Sequence, residues 1–368
     1  MLGPDEFAAW FRLLEAPGIG RETARRLLAA CGSPDAVFRT PPKTLRELAG
    51  AAAADALQRE PASHAERLAA ARLWLQGGAD RSVVTLGDPA YPPRLLQAPD
   101  PPLLLYVQGA PASLSAPAIA VVGSRNPTPQ GLDNARAFGR SLSAQGYVVV
   151  SGLALGIDGA AHEGALDGPA GTVAVVGTGL DRVYPARHRE LAHRIAAHGA
   201  LVSEYAPGMP ALAENFPQRN RIIAGLSLGT LVVEAALPSG SLITARLASE
   251  AGREVFAIPG SIHAPQSKGC HFLLKQGAKL VETAQDIVEE LRGVQPRQSA
   301  LPLGEPPEDA APADPLLDAL GQDPVTLDAL MARTGASAAE LTVRLLDLEL
   351  EGSVARLPGG LYQRRYAG

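Results

Sequence analysis

Lysine, cysteine and long apolar runs are scarce in this sequence of 368 residues. Only four of its 33 basic residues are lysines, so almost all of its positive charge comes from arginine. Cys31 and Cys270 are far apart and fit no metal-binding spacing, which predicts separate reduced thiols. No apolar run reaches the roughly 18 residues of a membrane span, and no basic-then-apolar leader follows Met1. We therefore expect a cytoplasmic protein without membrane insertion.

The rest of the composition is that of a folded protein with more than one domain. Hydrophobic residues make up 46% of the chain, enough for a sizeable core, and the length exceeds one ordinary domain. The net charge of −5 argues against a general nucleic-acid coat but not against a local basic site, because binding follows the local field. Arginine suits such a site, since it pairs bidentately with phosphate and stacks on bases. A GC-rich genome would explain the same bias.

Residues 1–78 are predicted to form a helical domain. Apolar residues fall at helical spacing on both sides of Pro17-Gly18-Ile19-Gly20, whose glycines permit a tight turn. This pattern is typical of a helix-hairpin-helix, or SAM-like, unit, in which the hairpin amides can hold a DNA phosphate. A helical module that packs on its own chain or on a partner fits the residues equally well.

Residues 79–292 are predicted to form a doubly wound, Rossmann-like α/β domain. Short β-rich apolar runs alternate with helix-sized intervals, as in a parallel sheet covered on both faces. Parallel strands end at the same edge of a sheet, so the loops that follow them should converge. The strands are predicted at 83–86, 103–107, 119–122, 147–150, 172–176, 201–202, 231–233 and 255–258.

The remaining residues are predicted to be a linker, 293–314, rich in proline, and a winged helix, 315–368. Thr326 is a predicted N-cap, Ser337 and Glu340 fit a capping box, and residues 354–363 fit a hairpin. Winged helices often bind duplex DNA in the major groove. The third helix has only one basic residue, Arg344, against three acidic ones, so a protein-contact or vestigial role fits at least as well.

The most informative segment runs from Phe216 to Ser227. It places Arg219, Asn220 and Arg221 near a helix start, with no obvious nucleophile and base. The strand after this helix is followed by Ser239-Gly240-Ser241, which opens another helix. This is how an α/β sheet builds an anion site at the carboxyl ends of its strands.

Two alternatives stay open within this segment. Arginines two positions apart point about 200° away from each other on a regular helix. Either the helix begins near Arg219 and Arg221 and both face one ligand, or one binds phosphate and the other holds a carboxylate such as Glu204 or Glu234. Phe216 is either a base-stacking residue or part of the core edge.

Two other strands are also followed by residues suited to an anion. Gly123-Ser124-Arg125 precedes Thr128-Pro129, a predicted helix start. This loop lacks the G-x-G-x-x-G motif of dinucleotide-binding proteins, which argues against dinucleotide redox chemistry. An ordinary turn with a surface arginine is the alternative. Ser151-Gly152 precedes Asp158 and His162, which share one helical face. A structural role for Asp158 and His162 as a pair, or a close turn that glycine permits, is favoured there. Either is preferred to a pair that acts in acid–base chemistry or binds a metal.

Together these motifs resemble the DNA-processing protein A family (DprA, also called Smf). The resemblance is dense over residues 118–282, and the helical module and winged helix fit the family's domain order. Several long motifs in the same order make the resemblance highly specific. They are Gly123-Ser124-Arg125, Ser151 to His162, Gly179-Leu180-Asp181 with Tyr184-Pro185, Ser203-Glu204-Tyr205, Phe216 to Ser227, Val233-Glu234-Ala235, Ser239 to Ala245 and Ile258-Pro259-Gly260.

The resemblance implies a single-stranded-DNA-binding recombination mediator, with no enzymatic activity, cofactor, metal or catalytic residue. Such proteins protect incoming strands during natural transformation and help load the RecA recombinase onto strands covered by single-strand-binding protein. The implied partners are single-stranded DNA, RecA and a second copy bound through the Rossmann domain, with single-strand-binding protein as a further candidate. The implied DNA-binding residues are Gly123, Ser124, Arg125, Ser151, Gly152, Phe216, Gln218, Arg219, Asn220, Arg221, Gly240 and Ser241.

The sequence also departs from the family's pattern. His188 stands where many members carry Asn, Cys270-His271 replaces a small or polar pair, and lysines are few. These departures bear on the affinity for single-stranded DNA.

The alternative function is a nucleotide-binding or nucleotide-cleaving enzyme of the phosphoribohydrolase-like Rossmann group. The segment from Ser227 to Thr230, with Glu234, is faintly similar to the loop of that group. A protein-interaction scaffold is a third alternative.

Overall fold

The structure is a computed structural model that describes residues 2–291, 314–321 and 324–365. The predicted linker, 293–314, lies outside the described residues apart from Asp314. In the described ranges no helix is long and apolar enough to cross a bilayer.

Six helices precede the sheet, in the region where the apolar spacing predicts a helical module. Gly20 is the N-cap of the second helix, so the Pro17-Gly18-Ile19-Gly20 turn separates two helices as expected. The module packs on its own chain, because Phe7 and Trp74 both meet the ring of Tyr106 on the sheet, edge to face at 6.5 and 6.0 Å between centroids. The helices are α1 (Pro4–Glu15), α2 (Arg21–Cys31), α3 (Pro34–Arg39), α4 (Pro42–Ala49), α5 (Ala51–Gln58) and α6 (His64–Gln76).

The middle of the chain forms a sheet of nine strands in the order β1-β2-β6-β5-β4-β3-β7-β8-β9. The seven strands from β6 to β9 in this order are parallel, as predicted. The strands are β1 (Arg81–Thr85), β2 (Leu104–Gly109), β3 (Ala118–Val122), β4 (Val148–Ser151), β5 (Thr172–Val175), β6 (Ala200–Ser203), β7 (Gly229–Val232), β8 (Glu254–Ala257) and β9 (Lys279–Leu280).

The first two strands are exceptions to the predicted parallel pairing. Strand β1 pairs antiparallel with β2, and β2 pairs antiparallel with β6. The segment between β1 and β2 contains only the four-residue helix α7 (Pro93–Leu96), whereas the crossover to a parallel neighbour is usually built around a longer helix.

Helices cover both faces of the sheet. Side chains of α7, α11, α12 and α13 form one core layer, and those of α8, α9 and α14 form another on the opposite face. Buried residues of α10 share a third core with α1–α6. These helices are α8 (Pro129–Ala144), α9 (Ile157–Ala165), α10 (Arg189–His198), α11 (Asn215–Leu226), α12 (Gly240–Glu250), α13 (Lys268–Lys275) and α14 (Ala284–Leu291).

The chain order reverses between β3 and β7. From β3 the chain builds outward through β4, β5 and β6, and it returns to β7 on the other side of β3 before continuing to β8 and β9. Open α/β sheets bind ligands in the crevice at such a point, outside the carboxyl ends of the strands. The fold therefore places a crevice between the loops that follow β3 and β7.

The last described residues form a winged helix, as predicted. Thr326 caps α16 through the Ala329 amide, and Ser337 and Glu340 form the predicted capping box. A short third strand completes the small sheet, in the order β10-β12-β11. The elements are α15 (Pro315–Leu320), β10 (Val325–Thr326), α16 (Leu327–Thr334), α17 (Ala338–Leu350), β11 (Val354–Leu357) and β12 (Leu361–Arg364).

An ion cluster joins the first helices to the sheet domain. Asp100 accepts hydrogen bonds from Arg21, Arg25 and Arg221 at 2.8, 2.6 and 3.0 Å. Arg221 also donates to Glu204 at 2.6 Å. Burial opposes ionisation of Asp100, but the hydrogen bonds from Arg25 and Arg221 and the charges of Arg221 and Arg21 outweigh it and lower its pKa to about 2.

We expect Asp100→Asn to lower the free energy of unfolding at neutral pH by about 2 kcal/mol, since it removes charge-assisted hydrogen bonds from three arginines. Because the folded pKa is depressed, this contribution is present above the unfolded pKa of about 4 and is lost as the pH falls through about 2. Urea unfolding midpoints of variant and parent should therefore converge as the pH is lowered towards 3.

The matched control is Asp167→Asn, which removes an exposed ion pair with Arg140. Its effect should stay within about 0.5 kcal/mol. A difference between Asp100→Asn and the parent that stays constant with pH would contradict the role of the Asp100 charge.

Candidate anion-binding crevice

A cavity of about 670 Å³ lies at the crevice between β3 and β7. The loops after β3, β4 and β7, the segment after β5 and the start of α11 all contribute to its walls, so the predicted convergence occurs. Its lining includes Gly123, Ser124, Arg125, Asn126, Ala154, Asp158, Tyr184, Phe216, Arg219, Asn220, Ser239, Gly240, Ser241 and Thr244.

Arg219 is the buried cation of this cavity. It is 5% exposed, and its Nη1 donates to the carbonyl oxygens of Gly152, at 2.6 Å, and of Val175. These carbonyls stand at the ends of neighbouring strands β4 and β5, so the guanidinium bridges the two strand ends. Its Nε is buried without a hydrogen-bond partner among the described residues. Burial lowers the pKa of Arg219, while the charge of Asp158 opposes that shift.

The loop after β4 is held by Asp158. Its carboxylate accepts hydrogen bonds from the amides of Gly152 and Ala154 at 3.1 and 3.4 Å. Burial raises the pKa of Asp158, and the charge of Arg219 opposes that shift. Asp158 therefore balances part of the arginine charge while it fixes the loop that Arg219 contacts.

His162 holds the same loop through Leu153. The Leu153 amide donates to Nε2 of His162 at 3.3 Å, and Nδ1 of His162 lies 2.7 Å from the hydroxyl of Thr172. Burial, with the nearby charges of His188 and Arg219, lowers the pKa of His162 to about 3, so the ring is neutral at ordinary pH. Asp158 and His162 thus bind separate partners, and among the described residues no hydrogen bond joins them into the structural pair that the sequence favoured.

Leu153 itself has a left-handed backbone, with φ of 58°. This conformation is unusual for a side chain of its size and costs free energy. Its carbonyl lies 3.0 Å from Nδ1 of His188, so two histidines fix the two polar groups of this residue. His188 is therefore part of the loop's support.

Glu234 fixes the loop after β3. Its carboxylate accepts from the amide and the hydroxyl of Thr128 at 2.9 and 2.5 Å, and its carbonyl accepts from the Ser124 amide at 2.7 Å. Burial raises the pKa of Glu234, and the bonds from Thr128 oppose that shift. Thr128 in turn caps α8, as predicted. The Gly123-Ser124-Arg125 turn is thereby held between the ends of β3 and β7.

The start of α12 forms the opposite wall. Ser239 is its N-cap and accepts from the Ser241 amide, and the two serine hydroxyls lie 2.7 Å apart. Asn220, in the middle of α11, donates to the Gly240 carbonyl at 3.3 Å, which ties α11 to the start of α12. Helix N-termini carry partial positive charge and unpaired amides, so their convergence on the cavity favours an anion.

An aromatic pair lies at the rim. The rings of Phe216 and Tyr184 are 5.5 Å apart between centroids, and the Arg125 guanidinium lies 5.8 Å from the Phe216 ring. Tyr184 is 52% exposed, so a planar group can reach it from solvent. Phe216 faces the cavity here and is not confined to the core edge.

Eight of the twelve predicted site residues line the cavity, and four do not. Gly152 contributes its carbonyl to Arg219, and the buried Ser151 hydroxyl donates to Val121 of the neighbouring strand. Gln218 is exposed and meets Arg21. Arg221 lies outside the cavity lining and holds Glu204, which is the carboxylate contact of the second predicted arrangement. The eight are Gly123, Ser124, Arg125, Phe216, Arg219, Asn220, Gly240 and Ser241.

Sequence reasoning left Asn126 and Tyr184 out of the site. Tyr184-Pro185 belongs to one of the recognised motifs, and an exposed aromatic after a strand end was the signal that could have placed Tyr184 there. Within the described ranges no group of His, Cys, Asp or Glu could hold a metal ion.

Fold and cavity together define a class of protein: a Rossmann-like sheet with a cavity at its topological switch point, lined by arginines and helix N-termini, and flanked by a helical module and a winged helix. The model of the DNA recombination-mediator protein A family matches residues 82–292, and the DprA winged-helix model matches residues 300–360. The chain belongs to this DprA family and is a DNA-processing protein.

Individual relatives agree with this assignment. Protein Smf of Escherichia coli is 44% identical over 75% of this chain and 76% of its own. DNA processing protein DprA of Streptococcus pneumoniae is 48% identical over 55% of this chain and 72% of its own. The crystal structure of DprA from that species aligns with a TM-score of 0.67 and 37% identity over 76% of this chain and 96% of its own.

A further solved structure is that of DNA processing protein A from Helicobacter pylori. It aligns with a TM-score of 0.53 and 31% identity, over 58% of this chain and 96% of its own. Its description concerns a single-stranded DNA binding mode of that protein.

We expect Gly152→Ala to displace Arg219, because a Cβ at position 152 would overlap the guanidinium. The protein should lose about 1 to 3 kcal/mol of stability through overpacking and the loss of hydrogen bonds. Gly240→Ala is the control, since nothing lies within 4 Å of a Cβ there. Differential scanning calorimetry should show a lower Tm only for Gly152→Ala; equal Tm values would contradict the close approach.

Proposed function

We propose that this protein binds single-stranded DNA in the cavity as a non-catalytic recombination mediator. The observation that carries the proposal is Arg219, a buried guanidinium held between two strand ends and lining an open cavity. Helix N-termini and Arg125 surround it, which suits a phosphate chain. The Helicobacter pylori relative, described as binding single-stranded DNA, supports this choice of ligand.

The proposed contacts divide by chemistry. Arg125, Arg219 and the amides near Ser124 and Gly240 contact phosphates, which gives affinity without reading sequence. Phe216 and Tyr184 stack on bases, which is tolerant of sequence because every base has a π face. Arg221, Gln218 and Ser151 support these groups through their own partners and do not contact the strand.

The enzymatic alternative has less support. Residues Gly229–Val232 form β7, so the segment that echoes a phosphoribohydrolase loop begins a strand, whereas Glu234 follows the end of that strand. The Glu234 carboxylate is occupied by Thr128. In the described residues, no serine of the cavity is hydrogen-bonded to a histidine. Chromatography after incubation with nucleoside monophosphates distinguishes the two functions, because release of free base would favour the nucleotide-cleaving enzyme.

Arg125→Ala and Arg219→Ala should each weaken binding of an oligothymidine, because each removes a cation that neutralises a phosphate. The plot of log association constant against log salt concentration should become less steep, by about 0.7 for each phosphate of the single strand that is no longer neutralised. Fluorescence anisotropy at several salt concentrations measures both effects. Arg246→Ala, which removes an exposed arginine of α12 outside the cavity, is the control. Unchanged binding by both cavity variants would refute the placement of the site.

We further propose that the bound strand is handed to RecA during natural transformation, as the family resemblance implies. The expected result is an earlier onset of RecA-dependent ATP hydrolysis on single strands covered by single-strand-binding protein. Arg219→Ala should lose this effect if delivery requires the cavity. An unchanged lag with the parent protein would contradict RecA loading while leaving strand binding intact.

A homodimer through the sheet domain completes the proposal, since two cavities on one strand raise avidity by local concentration. Three exposed apolar side chains lie towards the β9 end of the sheet: Ile262, Phe272 and Leu280, of which Phe272 is 44% exposed. Phe272→Asp should convert a dimer to a monomer in sedimentation-velocity analysis. Leu73→Asp, at a residue of α6 that is 72% exposed, should leave the mass unchanged. A dimeric Phe272→Asp protein would rule out this surface.

A further inference from the structure

Helix α10 carries exposed arginines on its outer side. Leu191, Ala192 and Ile195 face the core, which leaves the other side of the helix to solvent. The outer side, with the turn that precedes it, forms a shallow depression that we call the α10 basic face. Its charged and titratable members are Arg187, Arg189, Glu190, His193, Arg194 and His198.

The arginines of the α10 basic face are unpaired. Many other arginines of the described chain form ion pairs, but Arg187, Arg189 and Arg194 have no ion-pair or hydrogen-bond partner for their guanidinium groups in the described ranges. Among the described residues that line this depression, Glu190 is the only acid. Three arginines against one glutamate give a local positive charge on a chain whose net charge is −5. Such a surface attracts a polyanion through its local field.

The α10 basic face begins at the rim of the cavity. Tyr184 lines the cavity and meets Phe216, and Arg187 follows three residues later. The ring of His188 lies 3.0 Å from the Leu153 carbonyl, next to the cavity residue Ala154. Because α10 leads into the parallel strand β6, it runs from the carboxyl edge of the sheet, where the cavity lies, towards the opposite edge. Its ten residues span about 15 Å at 1.5 Å per residue.

We propose that a single strand longer than the cavity leaves it past Tyr184 and continues along the α10 basic face. Its phosphates contact Arg189 and Arg194, and its bases face solvent, since no aromatic side chain lies on this face. The inference rests on the proposed single-strand binding and extends it to a second tract. An acidic protein surface would also suit the arginines, but continuity with the cavity favours the nucleic acid.

The test compares two oligothymidines, one of about 6 nucleotides that fills the cavity and one of about 20 that extends beyond it. Arg189→Ala/Arg194→Ala should leave binding of the short strand unchanged. The double variant should weaken binding of the long strand by about tenfold. It should also make the salt dependence of that binding less steep by about 1.4, the value for two phosphates of a single strand. Glu190→Gln should strengthen binding of the long strand only. Anisotropy titrations of the full chain measure all three effects.

The control, Arg140→Ala/Arg246→Ala, removes two exposed arginines from other helices and the same net charge. It should match the parent with both strands. If the α10 variant binds the long strand as the parent does, or loses both strands equally, the second tract is refuted and the cavity proposal stands. If the parent binds neither strand at low salt, the proposed function fails, and the second tract with it.

Discussion

The arrangement of the crevice depends on one buried guanidinium. Arg219 donates to the carbonyl oxygens of Gly152 and Val175, at the edge of the sheet where β4 and β5 end. An unpaired buried carbonyl is costly, so the arginine satisfies the sheet edge while the sheet fixes the arginine. Position 152 accommodates only glycine, because the Arg219 guanidinium occupies the space that a Cβ would fill. Asp158 supplies a counter-charge and holds the loop beneath it.

This arrangement preorganises the positive charge that the cavity presents. A surface arginine loses side-chain entropy when it meets a phosphate, whereas Arg219 is already fixed by two carbonyls. The opposite case is Arg125, which is exposed and whose guanidinium lies over the Phe216 ring. The cavity therefore combines one rigid and one adaptable cation. A net charge of −5 over the whole chain is compatible with this, because the field that a strand meets is local.

The sequence predicted the central sheet and most of the cavity because both depend on local patterns. Apolar runs defined the strands, and strand-end residues such as Ser124 and Ser241 converged because parallel strands share an edge. The antiparallel start of the sheet could not be read from such runs, since pairing direction depends on the connection and not on the strand. One of the two carboxylate partners of Arg221 was equally out of reach of a local pattern. Glu204 was one candidate, but Asp100 lies 121 residues away and joins only through the fold.

The role of Asp100 determines whether the chain can be separated between the helical module and the sheet domain. One carboxylate joins Arg21 and Arg25 of α2 to Arg221 of α11, the helix that also carries Arg219. A fragment that begins after α6 would leave Asp100 and Glu204 with a single arginine between them and would uncover the ring of Tyr106. The helical module is therefore a structural part of the sheet domain, and recombination between homologous genes at this boundary would have to exchange both sides of the ion cluster together.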